Sequence, residues 1–115
     1  MDVTTTTFHR DVIERSHDLP VVVDFWAGWC GPCRMLGPVI ETEVAKRTGR
    51  SELAKVDVDA EQMIAAQYGI QSIPTVAVFR DGKPVGGFVG AHPAAAIASF
   101  LDDTIERHGE AVDAP

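Results

Sequence analysis

Cys30 and Cys33 are the only two cysteines of the 115-residue chain, separated by Gly31 and Pro32 and preceded by Trp29. A disulfide across so short a loop removes about 2 kcal/mol of unfolded-state entropy, against roughly 4 to 5 kcal/mol for a loop of 100 residues. Such a pair is a poor staple and a good switch. If Pro32 opens a helix, Cys30 stands at its N-terminus, where free N–H groups and the positive end of the helix dipole favour thiolate over thiol. Cys33, one turn on, is then placed to attack a mixed disulfide at Cys30 and release the product thiol. Gly31 and Pro32 fix the turn between the sulfurs, and Pro32 brings no N–H, so the dipeptide is expected to tune the reduction potential.

A CxxC pair also has the spacing of half a zinc site, which needs two further ligands. His9, His17, His92 and His108 lie scattered along the chain and no second CxxC exists, so neither metal binding nor two inert thiols is the favoured reading. Asp24 is the next informative residue, because it interrupts the apolar run Val21, Val22, Val23, Phe25, Trp26. Ionised and unpaired in a core it would cost several kcal/mol, so it is expected to be protonated with a raised pKa, or paired, with Lys55 as a partner. As a general base it would take the Cys33 proton; the bland alternative is a solvent-facing Asp at a strand end.

The elements that must position these groups follow from pattern. A short helix is expected over Phe8–Arg15 with Thr7 as cap, then a strand over Pro20–Trp26 that is apolar on both faces. The helix that begins at the cysteine motif repeats Leu36, Ile40 and Val44, contains a kinking Pro38 and stops by Gly49. Leu53–Val58 reads as a second strand, Glu61–Tyr68 as a helix capped by Gly69, and Thr75–Phe79 with Pro84–Val89 as a hairpin around Asp81 and Gly82. Gly86 and Gly87 weaken that last strand and mark a bulge. Pro93 opens a final helix with Ile97, Phe100, Leu101 and Ile105 on one face. This order predicts an α/β fold: an open mixed parallel and antiparallel sheet with helices on both faces. By base rate alone the Ile73–Pro74 bond is expected to be trans, and Gly90 serves either a close backbone approach or a plain turn.

Length and 45% apolar content fit one compact domain. Ten basic against seventeen acidic residues give a net charge of −7, which argues against nucleic acid and anionic membrane surfaces. Met1–Thr7 has neither a basic start nor an apolar stretch, and Leu19–Trp29 is too short to cross a bilayer, so a cytoplasmic protein is expected. Two thiols in a reducing compartment suit redox chemistry.

Taken together, VDFWAGWCGPC, Pro38, KVDVD, YGIQSIPT, the Asp81-Gly82 turn and FVGA resemble the thioredoxin family from about Phe8 to Ile105. Six ordered motifs make that resemblance specific. It implies a thioredoxin domain, taken over residues 1–107; residues 108–115, with Gly, Pro, two acids and only Val112 as a sizeable apolar residue, are expected to form a flexible tail. It further implies a protein-disulfide reductase and dithiol electron carrier, with Cys30 as nucleophile, Cys33 as resolving thiol, Asp24 as the buried carboxylate and Lys55 as the lysine that tunes it. Trp26 matches the family's buried tryptophan. The resemblance reverses the expectation for Pro74, which becomes cis, and makes Trp29, Val58, Ile73, Pro74, Val89 and Gly90 a docking surface for an extended substrate segment. The redox-active disulfide would serve without a cofactor or metal, on protein disulfides, with re-reduction by a thioredoxin reductase, in a monomer.

Gly28, Ser72 and the Gly86-Gly87 pair depart from common family members, which bears on partner preference and potential. The opening segment also resembles thioredoxin domains that precede helical repeats in redox-linked chaperones. The second reading is accordingly a client-binding module with secondary redox activity, and a third is an oxidase or isomerase.

Overall fold

The computed structural model describes residues 1–109. Its elements are β1 (Val21–Trp26), α1 (Gly31–Ala45), β2 (Glu52–Asp57), α2 (Gln62–Gln67), β3 (Thr75–Arg80), β4 (Lys83–Val89) and α3 (Ala94–His108). The sheet runs in the order β2-β1-β3-β4. β1 is parallel to β2 and antiparallel to β3, and β3 is antiparallel to β4, which is the mixed sheet expected from the element order.

β1 is central, and its alternation divides the molecule. Val21, Val23 and Phe25 face one core with Phe8, Val12, Ile64 and Phe79, while Val22 faces the other with Leu36, Ile40, Val44, Ile97 and Leu101. Each such side chain, when fully buried, contributes about 1.5–3 kcal/mol. Asp24, two residues from Val22, therefore points to the α1 side of the sheet.

Before β1 the chain forms a π-helical segment, His9–Glu14, that tightens into a 3-10 turn, Arg15–His17, instead of one regular helix. Thr7 does not cap it. The Thr7 hydroxyl accepts the N–H of Thr4 at 2.9 Å, and Phe8 occupies the cap position without a side-chain bond. Ser16 then ties this segment to the β3–β4 turn: its Oγ accepts the Gly82 N–H at 2.8 Å and its carbonyl accepts from Arg80 Nη1 at 2.7 Å.

α1 ends at Ala45, four residues before Gly49. Arg47 donates to the Glu43 carbonyl, to Asp102 and to the Ala98 carbonyl, joining α1 to α3. α2 closes as expected: Gly69 has φ +64°, its N–H donates to Ala66 O, and the Ile70 N–H donates to Ala65 O, the paired bonds of a Schellman motif. Asp81 and Gly82 both have positive φ, 56° and 83°, as a two-residue hairpin turn requires.

The β3–β4 register passes from Val78↔Gly86 to Phe79↔Pro84, so the extra residue of the bulge is Val85, beside the glycines. At Gly87 a Cβ would lie 2.5 Å from the Val76 carbonyl oxygen, so the two strands approach too closely there for any side chain. Ile97, Leu101 and Ile105 of α3 are buried together with Thr104, while Phe100 is half-buried. The expected tail begins inside this helix at His108, and residues 110–115 lie outside the described residues.

Candidate active site

Cys30 is the N-cap of α1, in extended backbone conformation, and Pro32 lies in the first turn. The two cysteines form a disulfide with a Cα–Cα distance of 5.3 Å. The Cys33 backbone N–H points at Cys30 Sγ at 3.2 Å, and this donor is placed to stabilise a Cys30 thiolate once the bond opens. Exposure does not distinguish the two sulfurs, since Cys30 is 3% and Cys33 5% accessible. Position on the helix does.

Around the pair, Ala27, Cys30 and Cys33 pack with Trp26, Val58 and Ile73. Cys30 Sγ lies 3.8 Å from the Ile73 carbonyl oxygen. The Ile73–Pro74 bond is cis, against the base-rate expectation and in line with the family resemblance. Gly90, with φ +98°, donates its N–H to Pro74 O at 2.8 Å, and Val89 pairs with Thr75. Of the two options for Gly90 the turn holds, since its φ is positive and a Cβ there would meet nothing within 4 Å. Trp29 is 68% exposed and Val89 is also exposed, whereas Pro74 is buried. Of the six residues expected to form a docking surface, Val58 and Ile73 pack at the cysteines, Pro74, Val89 and Gly90 follow from Ile73 through the backbone, and Trp29 precedes Cys30 in sequence.

Asp24 is 1% exposed and is not a solvent-facing strand-end residue. Its strand partner in register is Lys55, yet no protein group bonds Asp24 Oδ1. Lys55 Nζ instead donates to Glu41 Oε2 at 2.9 Å and lies 5.4 Å from the centroid of the Trp26 ring. Of the two expectations for Asp24, the raised pKa holds and the bonded pair does not. Burial pushes the carboxyl up to about 6, the Lys55 charge acting downward and the Glu41 charge upward. A cavity of about 330 Å³ joins Asp24, Trp26 and Lys55 to Cys33, Arg34, Gly37, Pro38 and Glu41 of α1. The carboxyl and the second sulfur thus line one half-open cavity.

Three residues of this site were not singled out from sequence. Asp59 accepts the Trp29 indole N–H at 2.7 Å, and Arg34 Nη1 donates to Gly28 O at 2.7 Å, so the loop before the cysteines is held from both sides. Glu41 repeats at the spacing Cys33, Gly37, Glu41, a helical stripe that was readable in advance. Among the described residues, no three His, Cys, Asp or Glu side chains gather as a metal-binding group, and no helix is long and apolar enough to cross a membrane.

The Thioredoxin family model matches residues 1–103. Thioredoxin 1 of Synechococcus elongatus is 46% identical over 100 residues, 87% of this chain and 92% of that protein. Thioredoxin 1 of a Nostoc species is 43% identical over 106 residues, 92% of this chain and 94% of its own length. A thioredoxin of Chlorobaculum thiosulfatiphilum is 45% identical over 104 residues, covering 90% and 94%. Likeness along almost the whole length of single thioredoxins favours the electron carrier over the client-binding module. With a cysteine pair joined at a helix N-terminus and relatives of that breadth, the chain belongs to the thioredoxin family and is a thiol–disulfide oxidoreductase, a dithiol redox carrier.

Proposed function

We propose that Cys30 is the attacking thiolate, Cys33 the resolving thiol and Asp24 the base that serves Cys33. The carrying observation is the Cys30 cap geometry, with the Cys33 N–H at 3.2 Å from its sulfur. In the reducing direction the Cys30 thiolate attacks one sulfur of a protein disulfide; a mixed disulfide forms and the other substrate sulfur leaves as thiolate. Asp24 then takes the Cys33 proton within their common cavity. The Cys33 thiolate attacks Cys30 Sγ, closing the Cys30–Cys33 bond and releasing the second substrate thiol, so two electrons pass to the substrate.

The substrate segment docks on Trp29, Val58, Ile73, Pro74, Val89 and Gly90, with backbone bonds in the manner of an added strand. Gly31, Pro32 and Lys55 tune the couple. No other cofactor takes part, a thioredoxin reductase returns the electrons, and the protein works as a monomer in the cytoplasm, where thiols are kept reduced.

The test is covalent trapping. Cys33→Ser is expected to accumulate mixed disulfides with oxidised protein substrates, visible on non-reducing gels, and Cys30→Ser to form none. Equal trapping by both variants would overturn the assignment of Cys30.

A further inference from the structure

We infer that Glu41 is a positioning residue, which holds the Lys55 ammonium on the solvent side of the α1–β2 cavity and thereby controls when Asp24 gains or loses its proton. The inference rests on the Asp24 reading above for its effect on turnover, but its own content is the charge state of Asp24.

The argument begins with register. Asp24 and Lys55 are partners on neighbouring strands, and opposite charges so placed ordinarily meet. They do not meet here. Lys55 Nζ is 2.9 Å from Glu41 Oε2, and Asp24 Oδ1 has no protein partner. α1 presents Cys33, Gly37 and Glu41 at successive fourth residues, all lining the cavity. The ammonium lies over Gly37, where a Cβ would stand in ordinary contact, 3.8 Å from Nζ. Glu41 is half-exposed and keeps part of its hydration, whereas Asp24 is enclosed. The ammonium thus bridges to the better-hydrated carboxylate, and the buried one remains without it.

The other groups facing this space are few. β1 adds Trp26, α1 adds Arg34, whose guanidinium is turned to the Gly28 carbonyl, and β3 sets the apolar Val76 opposite Asp24. An adjoining cavity that shares Trp26 and Lys55 is lined by Asp2, Asp57 and Glu61, of which Asp57 and Glu61 accept backbone N–H groups.

Removing the Glu41 charge has two effects of one sign. The negative field at Asp24 weakens, and Lys55 is released toward Asp24. Both favour the carboxylate, so Glu41→Gln is expected to weaken proton binding at Asp24 by about three- to tenfold. In a Lys55→Gln background only the direct field of Glu41 on Asp24 remains, so the same substitution is expected to have a smaller effect.

The measurement is the titration of the Asp24 carboxyl by carbon NMR in the full-length chain, for wild type, Glu41→Gln, Lys55→Gln and the double variant. An unmoved midpoint in Glu41→Gln, or an equal shift with and without Lys55, overturns the inference. The pH–rate profile for protein-disulfide reduction is recorded in parallel. If the midpoint of Asp24 moves and the rate profile stays put, Glu41 positions Lys55 as inferred and Asp24 is not the base, so the two readings fail separately.

Discussion

The indole N–H of Trp29 donates to Asp59 Oδ2 at 2.7 Å, so an aromatic side chain that is 68% exposed beside the disulfide is nevertheless held in one orientation. Ordering such a side chain only on docking costs about 0.5–1.5 kcal/mol. Asp59→Ala is therefore expected to raise KM for protein disulfides by about two- to tenfold, with kcat and the melting temperature little changed. Asp59→Asn, which keeps an acceptor oxygen, is expected to restore most of the loss. Steady-state kinetics on a protein substrate and on a small disulfide separate the effects, since only the former is expected to use the tryptophan. An unchanged KM would show that the bond has no part in docking.

Asp24 gives a pH dependence of stability with a definite sign. Its pKa is about 6 in the folded chain and 3.8 when exposed, so between those values the folded state holds a proton that the unfolded state has lost. Stability from this group is full below pH 3.8, declines as pH rises toward 6 and stays low above it. The difference amounts to about 3 kcal/mol. Asp24→Asn is expected to remove that decline and to be more stable than wild type at pH 7 by up to about 3 kcal/mol, while reducing disulfides more slowly near neutrality. Denaturant melts across pH 4–8 test the first part and the pH–rate profile tests the second. A variant less stable than wild type at pH 7 would contradict the account of the buried carboxyl.

Gly86 and Gly87 are adjacent but not equivalent. A Cβ at Gly86 meets only the Phe100 ring and the Thr104 hydroxyl, at 3.8–4.0 Å, whereas at Gly87 it would meet the Val76 carbonyl oxygen at 2.5 Å. Gly86→Ala is expected to change stability by less than about 0.5 kcal/mol and Gly87→Ala to lower it by about 1–3 kcal/mol. Chemical denaturation of the two variants decides the matter, and equal losses would refute the close approach of β4 to β3.

Much of this architecture was legible because its signals are local. The β-branched run made β1, Gly69 closed α2, and Asp81 with Gly82 turned the hairpin, each by a preference that operates within a few residues. Asp24 was conspicuous for the same reason, as a charge inside an apolar run. What stayed hidden depends on distance along the chain. Asp59 meets Trp29 across 30 residues, and Lys55 chooses Glu41 over its own strand partner because α1 crosses that end of the sheet. Local preference also misled, as at Thr7, where a hydroxyl suited to capping is instead engaged with the Thr4 N–H.

The two-sidedness of β1 has a consequence for the evolution of the protein. Sliding this strand by one residue would carry Asp24 from the cavity it shares with Cys33 into the opposite, apolar core of Phe8, Val12 and Phe79. Burying the carboxylate there would cost several kcal/mol, a large part of the stability of a small domain. The carboxyl thus doubles as a registration mark. Sequence drift that preserves the fold must preserve the alignment of this carboxyl with Cys33, so selection for folding also guards the geometry around the disulfide.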